Sequence, residues 1–331
     1  MLPQRPLEKA DNLPAYHRKY RMLKISLEGL QVLDTIDRRG SIAAAATELF
    51  RVPSTISYAV AKLEQDLGVA VFERAGPRLH LTPAGAELLR EGRYLLKAAQ
   101  DLEQRVRRVA TGWETQFAIA LESLFAPAAL AEDTRDFYRV ADQTRLRISQ
   151  EVMSGMWEAL LDRRVDLLVG AAGEGPSGGG YVAETMGTVP FVFAVAPTHP
   201  LASAPEPLDK ADLRAQRAIA VGDSAIRLAP RTVGLILGQD TLTVTDIVSK
   251  YAFQRAGLGF GYLPEAYARP AIDAGLLVEK RVAERRPAET LYLAWRPNED
   301  GAALAWWLKR LRRRGCLKRL LTQTARLHFG V

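Results

Sequence analysis

The sequence predicts a multi-domain α/β protein: a small helical front domain closed by a hairpin, one long helix, and two lobes of alternating strands and helices. Three observations carry this expectation. The stretch SIAAAATELFRVPSTISYAVAKLE, Ser41 to Glu64, holds two runs of helical apolar spacing interrupted at Pro53 and Ser54. Leu88, Gly92, Leu95, Ala99, Leu102, Val106 and Val109 then recur at alternating steps of four and three, a heptad seam. From Trp113 onward strand-like and helix-like stretches alternate, the pattern of lobes built on mostly parallel sheets. The expected division is a mobile extension over 1–24, a winged helical domain over 25–83, a linker helix over 84–112, a two-lobed α/β domain over 113–300, and a closing helix with a basic tail over 301–331.

Composition agrees with such an organisation. A chain of 331 residues, 48% hydrophobic and 25% charged, has room for about two domains with real cores. The single cysteine, Cys316, excludes an internal disulfide framework and suits a reducing cytoplasm. No apolar run reaches the roughly 18 residues of a membrane-spanning helix. The opening MLPQRPLEKADNLPAYHRKYR is polar and broken by prolines, unlike a secretory leader. Net charge is +7, unevenly spread. Residues 1–112 carry 18 Lys+Arg against 13 Asp+Glu (net +5), residues 113–300 carry 19 against 25 (net −6), and residues 301–331 carry 8 against none (net +8). A basic front and an acidic middle assign contact with nucleic acid to the front domain.

In chain order, the first segment admits two readings. Met22 stands just before LKISLEGL and reads as an alternative start, whereas His17, Arg18, Lys19 and Arg21 would suit a basic arm. Ser26 is an N-cap for a helix with Leu27, Leu30, Leu33 and Ile36 turned inward, stopped at Gly40. Ser41 caps the next helix, whose alanine run lets another helix cross closely. Ser54 is expected to cap the helix that follows, with Ile56, Val60, Leu63 and Leu67 inward and Gly68 as its stop. The outer face of that helix carries Ser54, Thr55, Ser57, Tyr58 and Lys62, short polar groups, a phenol and a cation suited to base edges and phosphates in a major groove. Ser41 joins this set. Next, Arg74, Gly76, Pro77 and Arg78 form a basic turn flanked by strand-like residues, a wing placed to touch the phosphate backbone. Thr82 and Pro83 open the long helix as N-cap and first residue.

Leu30 to Gly85 resembles the winged DNA-binding domain of the LysR-type transcriptional regulators. GSIAAAATEL (Gly40–Leu49), ISYAVAKLEQDLGVAVFER (Ile56–Arg74) and LHLTPAG (Leu79–Gly85) carry the likeness, in the family's order and spacing. LDTIDRRGSIAAAATELFRVPSTISYAVAKLE resembles the YhaJ-like subgroup in particular. One departure stands in the recognition helix: Tyr58 occupies the place of the usual arginine, so no operator sequence carries over. In this family the linker helix is dimeric. The resemblance therefore implies a homodimer paired through Leu88, Leu95, Leu102 and Val109, or a homotetramer of such dimers; the alternative is that the seam packs on the second domain of the same chain.

The remainder reads as strands QFAIAL, RLRISQEV and VDLLVGAA alternating with helices Ser123–Tyr138 and Ser154–Arg164, then a second run from FVFAVAP to LLVEK, closed by ETLYLAW. Crossovers near Pro190–Pro197 and Glu289 would make a hinged clamshell. RVDLLVGAAG and AGLGFGYLPE match the LysR-type pattern, which implies an effector-binding domain with the fold of periplasmic solute-binding proteins. Ligands of open α/β sheets sit at the carboxyl ends of strands, beside helix N-termini. Ser123, Ser154, Gly155, Thr245 and Asp246 stand at such places, and Phe260 and Tyr262 on a nearby strand. Two serine-capped helix starts facing one cleft would suit a small carboxylate, nitro or phenolate group, an aromatic or anionic effector, although each serine taken singly reads better as a plain N-cap. Glu122 beside Ser123 speaks against an anion there.

Other motifs carry little. Gly173, Gly175 and Gly178 spell a dinucleotide fingerprint, but Pro176 and the glycines after it prevent the helix it requires. The four histidines show no metal spacing, Cys316 has no catalytic partner, and no G-x-S-x-G occurs. No cofactor and no enzyme activity are expected. The expected function is transcriptional regulation in a bacterial cytoplasm. Its expected partners are double-stranded operator DNA, a small-molecule effector and the chain itself, and the family setting adds RNA polymerase. A solute-binding receptor on the same clamshell is the alternative. The tail after Gly315 has leucines at helical spacing and no acid; it could touch operator DNA or an anionic membrane surface, stay solvated, or dock on the acidic middle domain, which the opposite charges favour.

Overall fold

The computed structural model describes residues 23–75, 78–284, 286–297 and 301–329, without the side chains of residues 74, 75, 78, 104, 105, 107, 108 and 111. The expectations for residues 1–22, for the Gly76–Pro77 turn and for the side chains of Arg74 and Arg78 lie outside the described residues. The chain divides into two compact units between Glu103 and Gln104.

The first unit begins with α1 (Leu27–Arg39), α2 (Ile42–Glu48) and α3 (Pro53–Leu67). Ser26 and Ser41 accept hydrogen bonds from the N–H groups of Gly29 and Ala44, as N-caps should. Gly40 and Gly68 end α1 and α3 with φ of 74° each, a conformation that costs glycine little. Ser54 is not a cap. Pro53 already occupies the first turn, Val52 is the N-cap residue, and no side chain caps this end. Proline needs no N–H partner at that position. The inner faces of the three helices meet in a core of Val32, Ile36, Ala45, Ala46 and Ile56.

Strands β1 (Phe72–Ala75) and β2 (Arg78–Leu81) pair antiparallel as the hairpin. The Glu64 carboxylate on α3 accepts from the N–H groups of Val71 and Phe72 and so fixes where the hairpin leaves the helix. Thr82 caps α4 (Pro83–Thr111) by accepting from the Gly85 N–H. A Cβ on Gly85 would fall 2.0 Å from the Val71 carbonyl oxygen, so only glycine allows this approach. Leu88, expected in a seam between chains, packs instead with Leu33, Val71 and Leu89, and Gly92 faces Leu30. The start of the long helix serves the core of its own unit.

The second unit opens with β3 (Gln116–Glu122). A continuous helix from Ser123 does not form: a turn and a 3-10 segment, Pro127–Leu130, precede α5 (Ala131–Tyr138). Pro127 sits where an α-helix begun at Ser123 would need its N–H. Then follow β4 (Arg145–Glu151), α6 (Ser154–Leu161), β5 (Leu167–Ala172) and β6 (Val182–Val189). β6 was not expected from the sequence: its face pattern is mixed because it lies at the edge of its sheet. The second lobe contains β7 (Phe191–Val195), α7 (Lys210–Arg214), β8 (Ala218–Val221), β9 (Thr241–Val244), α8 (Ile247–Arg255), β10 (Gly261–Pro264), α9 (Glu265–Asp273) and β11 (Val278–Glu279). The chain returns with β12 (Glu289–Trp295), α10 (Ala302–Leu311) and α11 (Cys316–His328).

The first lobe is a five-stranded sheet ordered β4-β3-β5-β12-β6, parallel from β4 to β5 and antiparallel beyond. The second lobe holds a three-stranded sheet, β10-β7-β11, and the parallel pair β8-β9. The crossovers fall at Pro190, between β6 and β7, and just before Glu289 at the start of β12. The largest core cluster does not respect the lobes: Phe117 and Trp307 of the first share it with Tyr251, Leu263 and Tyr267 of the second.

The basic tail is a docked helix. Leu320, Leu321, Ala325 and Phe329 are buried in that shared core. Arg319 pairs with the fully buried Asp133 at 2.8 Å, and Arg312 pairs with Glu184 at 2.7 Å. The Thr324 hydroxyl accepts from the Ala126 N–H of the first lobe, while Phe329 stacks on Tyr267 of the second at 4.5 Å. Burying each large apolar side chain contributes about 1.5–3 kcal/mol. Truncation after Arg314 should therefore lower the melting temperature of the second unit by roughly 10 °C or more, read by differential scanning calorimetry.

Candidate DNA-reading face and effector cleft

One candidate site lies in each unit. In the first, helical periodicity turns Ser54, Ser57, Tyr58 and Lys62 of α3 to solvent, with Tyr58 69% exposed. Thr55 is half-buried at the edge of this face. Gln65, two turns beyond Ser57 and Tyr58, is exposed on the same side, and the spacing alone could have found it. A glutamine amide suits the paired donor and acceptor of an adenine edge. Lys62 keeps a loose contact with Asp66 at 3.4 Å. Ser41 is engaged as the cap of α2. Arg74 and Arg78 stand on β1 and β2. On α4, Leu95, Leu102 and Val109 are 52%, 55% and 85% exposed, an uncovered apolar ridge along the outer part of the helix.

The second site is the cleft between the lobes of the second unit, a solvent-open hollow with a cavity volume of about 60 Å³. Glu122, Ser123, Leu124, Val152, Met153, Ala172 and Glu289 line it from the first lobe. Phe191, Val221, Arg231, Val233, Ile247, Lys250, Tyr262 and Arg286 line it from the second. Of the residues expected from the sequence, Ser123 and Tyr262 reach this space. The other five sit elsewhere among the described residues. The N–H groups of Ser154 and Gly155 donate to the Asp223 carboxylate at 3.1 Å each, so a side chain of the same protein already holds that helix start. Asp246 caps α8 through the Ser249 N–H, and Thr245 donates to Asp246. Phe260 is buried in the core of the second lobe with Phe193.

Charge in the cleft is unevenly answered. Glu122 is wholly buried, and burial pushes its carboxyl up to about 7 against the hydrogen bonds donated by the Ser123 hydroxyl, the Met153 N–H and the Ser123 N–H. Glu289 receives both Arg231, at 3.3 Å, and Arg286, at 3.4 Å. The Arg286 guanidinium lies 3.7 Å above the Phe191 ring, and burial lowers its pKa. Burial also brings the Lys250 ammonium down to about 7, with the Arg286 charge adding to the effect. Asp223 and Glu158 go the other way. Burial opposes their ionisation, but backbone N–H donors outweigh it and hold both below the usual carboxylate range. Such a cleft can hold a small molecule with an apolar body and one or two polar groups.

The comparisons with known proteins divide the chain in the same two parts. Residues 27–86 match the family described as bacterial regulatory helix-turn-helix protein, lysR family, and residues 110–316 match the LysR substrate binding domain. The chain belongs to the LysR family of transcriptional regulators. It is 38% identical over 285 residues to the uncharacterized HTH-type transcriptional regulator YeeY of Escherichia coli, spanning 86% of this chain and 92% of that protein. It is 37% identical over 296 residues to YhaJ of the same species, spanning 87% and 96%. It is similar in fold to full-length CbnR complexed with its target DNA (TM-score 0.57, 21% identity, 87% of this chain and 99% of that one). A probable transcriptional regulator from Pseudomonas aeruginosa, PA0477, is similar too (TM-score 0.54, 22% identity, 87% and 96%).

This LysR-type regulator is thus a non-enzymatic, DNA-binding protein with an effector-binding domain, and family membership disfavours a solute-binding receptor. Among the described residues no helix is long and apolar enough to cross a membrane. The sequence reading missed Lys250, Arg231, Arg286 and Glu289 in the cleft. Their only signal was helical spacing from Ile247 to Lys250; the others lie in loops or at a strand start. The titration of Glu122 has a measurable consequence. Its ordinary pKa of 4.5 becomes about 7 on folding, so the folded chain holds the extra proton between those values. Stability then falls as pH rises through that window. Glu122→Gln should flatten this fall, measured as urea midpoints between about pH 5 and 7.5.

Proposed function

We propose that this regulator reads double-stranded operator DNA with the outer face of α3 and that a small molecule in the cleft of the second unit sets its response. The observation that carries the reading is the row Ser54, Ser57, Tyr58 and Lys62, exposed and polar, on the second helix of a helix-turn-helix. Thr55 lies at its edge, and Ser41, the cap of α2, is assigned to the same contact. Arg74 and Arg78, on the two strands of the wing, are assigned to phosphates. Two chains pair through Leu95, Leu102 and Val109, the ridge that α4 leaves uncovered, and two such dimers form a tetramer. The protein works in the cytoplasm, where its operator lies, and RNA polymerase is the partner through which bound protein alters transcription. Tyr58 replaces the arginine usual in the family, so base selection rests on a phenol and hydroxyls. The effector site comprises Ser123 and Tyr262 with the cleft residues around them.

Footprinting on the DNA upstream of its own gene tests the reading. A protected site whose extent or affinity changes with an added small molecule is the expected result; no sequence-dependent protection would refute it. Tyr58→Ala should weaken the specific site roughly tenfold and leave binding to unrelated DNA nearly unchanged. Leu95→Asp sets charges against each other across the proposed seam and should sediment as a monomer at micromolar concentration. A folded Leu95→Asp protein that remained dimeric would remove this seam from consideration.

A further inference from the structure

Lys250 is held in the cleft without a partner. Its side chain leaves α8 one turn after Ile247, and both residues line the cavity. The residue is only 8% exposed. No carboxylate, carbonyl or hydroxyl among the described residues accepts a hydrogen bond from its ammonium, and the charge that acts on it is that of Arg286, of the same sign. The space for it is made deliberately by the neighbouring strand: a Cβ on Gly261 of β10 would stand 2.9 Å from Lys250 Cε and Nζ. Arg286 has a parallel deficit, because its buried Nε–H has no acceptor.

Among the described residues, the carboxylates nearby reach neither the Lys250 ammonium nor the Arg286 Nε–H. Glu289 is shared between Arg231 and Arg286. Glu122 is enclosed by donors from Ser123 and Met153. A buried ammonium left unpaired is costly, whereas one matched to an anion with good geometry recovers much of that cost. A protein that excludes water around such a group, clears a glycine for it and aims it into a cavity is complementary to a charge that comes from outside.

Resting on the reading of the cleft as the effector site, we propose that this chain takes a small monocarboxylate whose acid group lies between the Lys250 ammonium and the Nε–H of Arg286. Its apolar body rests on Leu124, Val152 and Met153 of the opposite lobe. A carboxylate has two oxygens to share between the two donors. Leu124, Val152 and Met153 themselves carry no charge to match a second acid group. The acid group meets side chains of the second lobe, not the start of α6, because Asp223 already occupies the N–H groups of Ser154 and Gly155.

The test uses the full-length protein and two matched probe series, benzoate, hexanoate and indole-3-carboxylate against the corresponding amides. Each is added at about 10 mM, enough to stabilise the native state through a millimolar site. At least one acid should raise the melting temperature of the second unit while its amide does not. Lys250→Met should weaken that acid at least tenfold and, in the absence of ligand, should raise the melting temperature, because the unpaired charge is gone. Gly261→Ala, which keeps the charge and fills its space, should weaken the same acid, and it serves where Lys250→Met fails to fold. No acid acting beyond its amide, or an acid shift undiminished in both variants, overturns the proposal. Amides that bind and alter the footprint while acids do neither would leave the cleft as the effector site and reject the carboxylate.

Discussion

The cleft is held by carboxylates that accept backbone N–H groups from the opposite lobe. Asp223, just after β8 of the second lobe, receives the N–H groups of Ser154 and Gly155 at the start of α6. Glu158, on α6 of the first lobe, receives those of Ile226, Arg227 and Leu228 from the second. Ser224 donates to Glu151, and Arg231 donates to the Ala172 carbonyl. Hydrogen bonds to an ionised acceptor contribute about 1.5–3 kcal/mol each, more than neutral ones. This loop therefore fixes the distance between the lobes, and with it the size of the cavity.

That constraint has a counterpart on the other side of the unit. The shared core brings α10 and α11 against both lobes, with Trp307 and Phe329 in contact with residues on either side of the crossovers. The lobes are joined by more than two strands of chain. A ligand that changes their relation must work against packed apolar surface as well as against the Asp223 and Glu158 hydrogen bonds. The energy for such a change has to come from interactions the empty cleft leaves unmet. Among the described residues, Lys250 and the Arg286 Nε–H are such unmet groups lining the cleft.

The first unit follows a simpler logic. Its core is small, and short-range signals suffice to build it: two serine caps, two glycines in the left-handed region, and the glycines of α4 that admit Val71 and Leu30. Because the inner faces are committed to that core, the polar face of α3 has no structural duty, which leaves it available to DNA. The same division of labour runs along α4. Its first turns complete the core through Leu88 and Leu89, while Leu95, Leu102 and Val109 are exposed.

The sequence by itself determined the family, the three helices with their stops, the hairpin, the long helix and the closing helix Ala302–Leu311, because each depends on caps, periodicity and turn residues that lie close together in the chain. It also placed the crossovers, since prolines are visible without coordinates; for the basic tail it left docking, a DNA or membrane contact and a solvated tail open, and the shared core decided among them. Only the tertiary structure decided the effector cleft. Ser154 and Gly155 look like an anion site until Asp223, some seventy residues away, is found on them. Lys250 looks like any helical lysine until its burial and its place against Gly261 are seen, with no hydrogen-bond acceptor for its ammonium among the described residues. Whether a polar group is satisfied is a property of its whole surroundings, and those surroundings are assembled from segments that local pattern cannot bring together.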